Sequence, residues 1–119
     1  MDARPFLIAG LPALVVAVLG AITGLAGPPL LPLSVQQPIE HADGALRQQG
    51  WQADGDPTLD SFDRELSGND LSSLRHCAGT GAGFCRYDYR KGEQRLEVIT
   101  VPGRDGDGLV HHWRVLDGS

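Results

Sequence analysis

The stretch "HCAGTGAGFC", His76 to Cys85, holds both cysteines of the chain. Two thiols beside a histidine suit a metal site, a redox pair or a disulfide, and spacing separates these chemistries. Zinc would need two further ligands, from His41, His76, His111 or His112, and the usual C-x2-C or H-x3-H pairing is missing. His111 and His112 are adjacent on an expected strand, so their side chains are expected to point to opposite faces and not to share an ion. Reactive thiols need a base or cation nearby, and nothing in the sequence places one there. The even cysteine count and an exported location favour a Cys77–Cys85 disulfide over free thiols or zinc. Such a bridge would clamp the helical part to the first strand, worth roughly 2–3 kcal/mol.

Other stretches resemble functional motifs only in part. The glycines of "GTGAG" (Gly79, Gly81, Gly83) lack the G-x-G-x-x-G spacing and precede a strand, where a phosphate loop precedes a helix. Counted from Asp54, calcium positions fall on Asp54, Asp56, Thr58, Asp60 and Glu65, but Leu59 stands where glycine is required and Pro57 interrupts. Asp105 and Asp107 lack a twelfth-position Glu, so both acidic stretches read as solvated turns. Ser72 or Ser73 with His76 and an Asp makes no recognised triad, and no G-x-S-x-G or H-E-x-x-H occurs. The chain is therefore not expected to be an enzyme, and no cofactor, metal or small-molecule substrate is inferred.

The elements that position these residues follow from composition. A chain of 119 residues allows one small domain at most. A net charge of −5 argues against nucleic acid as a partner. Residues 1–36 contain only Asp2 and Arg4 as charged groups, and Phe6 to Ala26 contains none. As a helix this run would cover about 31 Å, close to the hydrocarbon thickness of a bilayer. Its length favours a retained transmembrane helix over a cleaved signal peptide, although "GLA" (Gly24 to Ala26) would serve as a cleavage site. Arg4 precedes the run and no basic residue follows until Arg47, so the N-terminus is expected in the cytoplasm and the body on the periplasmic or other extracytoplasmic side.

The expected organisation is a short tail over residues 1–5, a transmembrane helix over 6–27, a Pro-rich tether over 28–38 and a small exported α+β domain over 39–119. Within the helix, Gly10, Ala13, Ala17, Gly20 and Gly24 form a stripe of small residues suited to packing against another membrane protein. In the body, Ile39, Ala42, Leu46 and Trp51 are expected on one face of a short helix stopped by Gly50. Leu59, Phe62 and Leu66 suggest a second helix, and Asn69 or Asp70 a cap for a further turn with Leu71 and Leu74. "FCRYDYR", "RLEVITVP" and "LVHHWRVL" alternate aromatic and β-branched residues between turn sequences, predicting a three-stranded antiparallel meander. Trp51, Tyr87, Tyr89 and Trp113 are candidate interaction aromatics, with the core as their competing place.

"GW" (Gly50, Trp51), "RYDYR" (Arg86 to Arg90), "LEVITV" (Leu96 to Val101) and "DGDG" (Asp105 to Gly108), behind an N-terminal apolar run, resemble the layout of the exosortase-associated accessory proteins of bacteria, the cyanobacterial type included. That resemblance implies an envelope accessory protein working beside a membrane-embedded protein-sorting enzyme, with no catalytic residue of its own. The competing reading is a secreted, disulfide-stapled binding module released by signal cleavage, and a more distant one is a thiol- or metal-dependent envelope enzyme.

Overall fold

The computed structural model describes residues 30–79 and 81–117. The chain divides into two units, Met1–Leu30 and Leu31–Ser119, and the named elements belong to the second. In order they are α1 (Ile39–Gln48), β1 (Gln52–Ala53), α2 (Ser61–Ser67), β2 (Leu74–Cys77), β3 (Cys85–Lys91), β4 (Gln94–Pro102) and β5 (Gly108–Asp117). All five strands form one antiparallel sheet. β1 and β2 share one side of β3, β4 lies on its other side, and β5 follows β4.

The expected architecture, a transmembrane helix followed by short helices and a three-stranded sheet, is corrected: the described residues form two helices on a five-stranded antiparallel sheet. The sheet has five strands, because β1 and β2 join the segments read from sequence as β3, β4 and β5. β1 is two residues long. β2 carries Arg75 and His76 in mid-strand, with a register shift between Leu74 and His76. Neither offers the period-two apolar pattern that reveals a strand. Among the described residues no helix is long and apolar enough to cross a membrane. The run 6–27 and its stripe of Gly10, Ala13, Ala17, Gly20 and Gly24 lie outside the described residues.

The core lies between α1 and one face of the sheet. Ile39, Ala42 and Leu46, spaced three and four apart, bury one side of α1. The inward positions of the strands supply Cys85, Tyr87 and Tyr89 from β3, Leu96, Val98 and Thr100 from β4, and Val110 from β5. Helix α1 ends in paired bonds, Gly50 N–H to the Arg47 carbonyl and Trp51 N–H to the Leu46 carbonyl, both 3.0 Å. This closure needs a left-handed residue, which Gly50 provides at φ 94°. It also turns Trp51 back onto Leu46, so the "GW" pair is a helix stop carrying a core residue.

A buried polar chain fixes α1 on the sheet. The Ser73 hydroxyl donates to Tyr89 Oη at 2.9 Å, and the Tyr89 hydroxyl donates to Asp43 Oδ1 at 2.8 Å. Arg47 Nε donates to Asp43 Oδ2 at 2.8 Å. The charge of Asp43 on the apolar face of α1 is thus paired and hydrogen-bonded, which lowers the cost of burying it.

Helix α2 departs from its sequence pattern. Leu59 packs on the core, but Phe62 and Leu66 are exposed. Polar contacts orient this helix instead. The Asp60 carboxylate caps its first turn by accepting from Asp63 N–H, Asp63 accepts from the Cys77 N–H at 3.1 Å, and Arg64 Nη1 donates to the Leu71 carbonyl at 2.6 Å. The further turn expected to carry Leu71 and Leu74 is present as a single hydrogen-bonded turn, with the Leu74 N–H donating to the Leu71 carbonyl at 3.2 Å. Asn69 Oδ1 accepts from Leu71 N–H at 3.0 Å in a local turn, and Leu74 opens β2. The segment read as a Pro-rich tether packs on the body from Leu31 onward. Leu31 and Leu33 pack on the core, and Pro38 bridges Leu109 on β5.

Candidate functional site

Cys77 and Cys85 are disulfide-bonded, with Cα atoms 4.1 Å apart. They are direct partners in the β2–β3 register. Next to them the Ala78 N–H donates to the Phe84 carbonyl at 2.8 Å, so the cysteines occupy the adjacent close pair of the ladder. The bridge ties β2 and the α2 contact at Asp63 to the central strand. It fixes the end of the sheet that carries the outer face.

That outer face is charged. Side chains at alternate positions, opposite the core, bring Arg86 and Asp88 of β3, Glu97 of β4 and Arg114 of β5 together. Arg86 meets Asp88 through two bonds, Nε to Oδ1 at 2.8 Å and Nη2 to Oδ2 at 2.9 Å. Its Nη2 also lies 2.8 Å from Glu97 Oε2, and Arg114 Nε lies 2.7 Å from Glu97 Oε1. Arg75 reaches Asp88 at 3.9 Å, and Arg90 pairs with Asp54 at 3.5 Å. The Asp88 and Glu97 side chains are 3% and 10% exposed, whereas Arg86 and Arg114 are 36% and 68% exposed. The carboxylates therefore form the floor and the guanidinium groups the surface. Burial pushes the Glu97 carboxyl up, but the Arg114 hydrogen bond and the charges of Arg86, Arg114 and Arg95 outweigh it and hold it below the ordinary range. Hydrogen bonding to Asp88 raises Arg86 further, against the opposing effect of burial. With Arg95 on the same face, five arginines stand against Asp54, Asp88 and Glu97. A chain of negative net charge thus presents a predominantly cationic sheet face.

Among the described residues the β5 side of this face is an open edge. Gln36 N–H donates to the Val110 carbonyl at 2.7 Å, and Val110 N–H donates to the Gln37 carbonyl at 2.8 Å. Among the described residues no strand pairs with the outer side of β5 beyond this point. A register shift opposite Ile99 and Thr100 inserts His111 as an extra residue. The alternation expected for the two histidines fails there, and this corrects their placement on opposite faces. Both are exposed, and their Nδ1 atoms lie 2.7 Å apart, with one donating to the other. Among the described residues no group of three His, Cys, Asp or Glu surrounds a common point. Val35, His111, His112 and Trp113 line a shallow groove of about 210 Å³ at this edge.

The candidate aromatics divide between core and edge. Tyr87, Tyr89 and Trp51 are buried, so none presents a ring as a surface anchor. Trp113 is half-buried against the core and lines the groove. The acidic stretches serve local structure. Asp56 accepts from the Thr58 N–H and hydroxyl, and Asp60 caps α2. The arginine network went unread although its signal is present, as charge alternating at period two in Arg86–Asp88–Arg90, Arg95–Glu97 and His112–Arg114.

Fold and face together define a small disulfide-stapled α+β module whose sheet is packed on one side and charged on the other. Comparisons with family models, with curated proteins and with solved structures gave no match to this chain.

Proposed function

We propose that the Leu31–Ser119 body is an export-side accessory module that acts by binding a partner protein, not by catalysis. The observation that carries this reading is the outer sheet face. The guanidinium groups of Arg86 and Arg114 are held in place by the buried carboxylates of Asp88 and Glu97, so a partner meets a preorganised surface there and little side-chain entropy is lost on docking. Arginine is also well suited to interfaces because its planar fork satisfies carboxylates geometrically. The Cys77–Cys85 bridge supports an oxidising, export-side location, where such bonds persist. The resemblance to exosortase-associated accessory proteins points to the same class of role.

Photocrosslinking in the cells that make the protein tests the reading. A photoreactive residue in place of exposed His112 should trap a discrete protein adduct outside the cytoplasm. The same residue in place of exposed Glu65 on α2 should not. Equal adducts from both positions, or none from either, would overturn the proposal.

A further inference from the structure

The open edge of β5 has a definite chemistry. The structure already pairs one extended segment with it, residues 36–37 against Val110. Both backbone groups of Val110 point outward there. Thr100 opposite Val110 is then a non-bonded pair of the β4–β5 ladder, and by alternation so are Val98 opposite Trp113 and Leu96 opposite Val115. Past the extra residue His111, the N–H and C=O groups of Trp113 and Val115 therefore face the same open side. Side chains along this stretch alternate as well. Trp113 and Val115 lie on the core side, with Val35 beside the groove. His112 and Arg114 lie on the outer side, where Arg114 is 68% exposed.

We infer that this edge takes an extended segment of the partner protein as a sixth strand, and that the segment alternates apolar and acidic residues. The inference rests on the binding role proposed above and specifies its mode. Main-chain bonds to Trp113 and Val115 supply the pairing, and the alternating side chains supply the selection. Apolar residues of the segment meet Val35, Trp113 and Val115, while acidic residues meet Arg114 and His112. A second copy of this chain fits less well. Antiparallel pairing of two β5 strands would set Arg114 of one copy near Arg114 of the other, with no acidic residue between Gly108 and Leu116 to answer it, and like charges across a ladder are destabilising.

The test is binding of a synthetic alternating Glu-Val peptide to the full-length protein, with amide hydrogen exchange as the structural readout. The Glu-Val peptide should bind and slow exchange at Trp113 and Val115. Methylation of alternate peptide nitrogens should abolish binding, and Arg114→Glu should weaken it by about tenfold or more, the scale of one lost charge pairing. An alternating Lys-Val peptide should not bind. Equal binding of the methylated peptide, slowed exchange confined to another surface, or concentration-dependent pairing of the protein with itself through β5 would overturn the inference. If the Glu-Val peptide fails while the His112 crosslink persists, strand addition falls and the binding role stands; if both fail, both fall.

Discussion

Alkaline unfolding offers a clean test of the core, because the chain has two tyrosines and both are buried. Burial pushes the Tyr87 phenol up, against hydrogen bonds from Asn69, Ser67 and Thr100 and the charge of Arg64. Burial likewise pushes Tyr89 up. The Ser73 bond works against this, while the neighbouring Asp43 carboxylate adds to it. Both folded-state values thus lie above the ordinary 10.0. Below that value both phenols are protonated in both states, and the stability they contribute is fully present. As pH rises past it, the unfolded chain ionises while the folded one does not. Each tyrosine then removes about 1.4 kcal/mol of stability per pH unit, or about 2.7 for the pair. For a domain of this size, stable by about 5–13 kcal/mol, the pair brings cooperative unfolding within about two to five pH units above the ordinary phenol value while both folded phenols stay protonated. Phenolate absorbance and circular dichroism, followed together, should change in one coincident step. Tyr87→Phe should halve both the phenolate amplitude and the pH slope. Phenolate appearing near the ordinary value while the dichroism stays native would refute the buried placement.

Other expectations follow from single contacts. Replacing both cysteines by serine should cost about 2.5 kcal/mol for a loop this short, measured by urea denaturation; an unchanged midpoint would mean the staple is idle. The lowered Glu97 carboxyl contributes stability that is present above its ordinary value of 4.5 and lost as pH falls through the lower folded value. Glu97→Gln should therefore flatten the acid side of the stability profile, and an unchanged acid limb would contradict the network. Gly55→Ala should destabilise by about 1–3 kcal/mol, because a Cβ there collides with the Ser72 and Leu74 carbonyl oxygens. A neutral result in thermal melts would mean that this backbone approach is not tight.

The sequence was legible where one local rule dominated. The three long strands show alternation between turn residues, α1 shows its apolar stripe and glycine stop, and two cysteines flanking a flexible loop before a strand suggest their bridge. It was illegible where tertiary contacts overrode the local pattern. β1 and β2 exist because β3 offers them a ladder, and Arg75 is tolerated in β2 because Asp88 lies across from it. Helix α2 turns Phe62 outward because Asp63 is held by the Cys77 N–H. The histidine pair follows from a one-residue bulge that sequence spacing does not announce. The outer face is written in the same alternation, since its charges fall between the core residues, but a charged period-two pattern reads equally as a plain solvated face.

The most direct measurement of the binding role is amide hydrogen exchange of the full-length protein, free and in complex with the partner trapped from His112. In the free protein the outward amides of Trp113 and Val115 should exchange quickly for strand positions, because their N–H groups face the open edge. In the complex their exchange should slow markedly, while the exposed surface of α2 stays unchanged. Protection that appears on α2 and leaves the β5 edge as fast as before would contradict a partner-binding sheet.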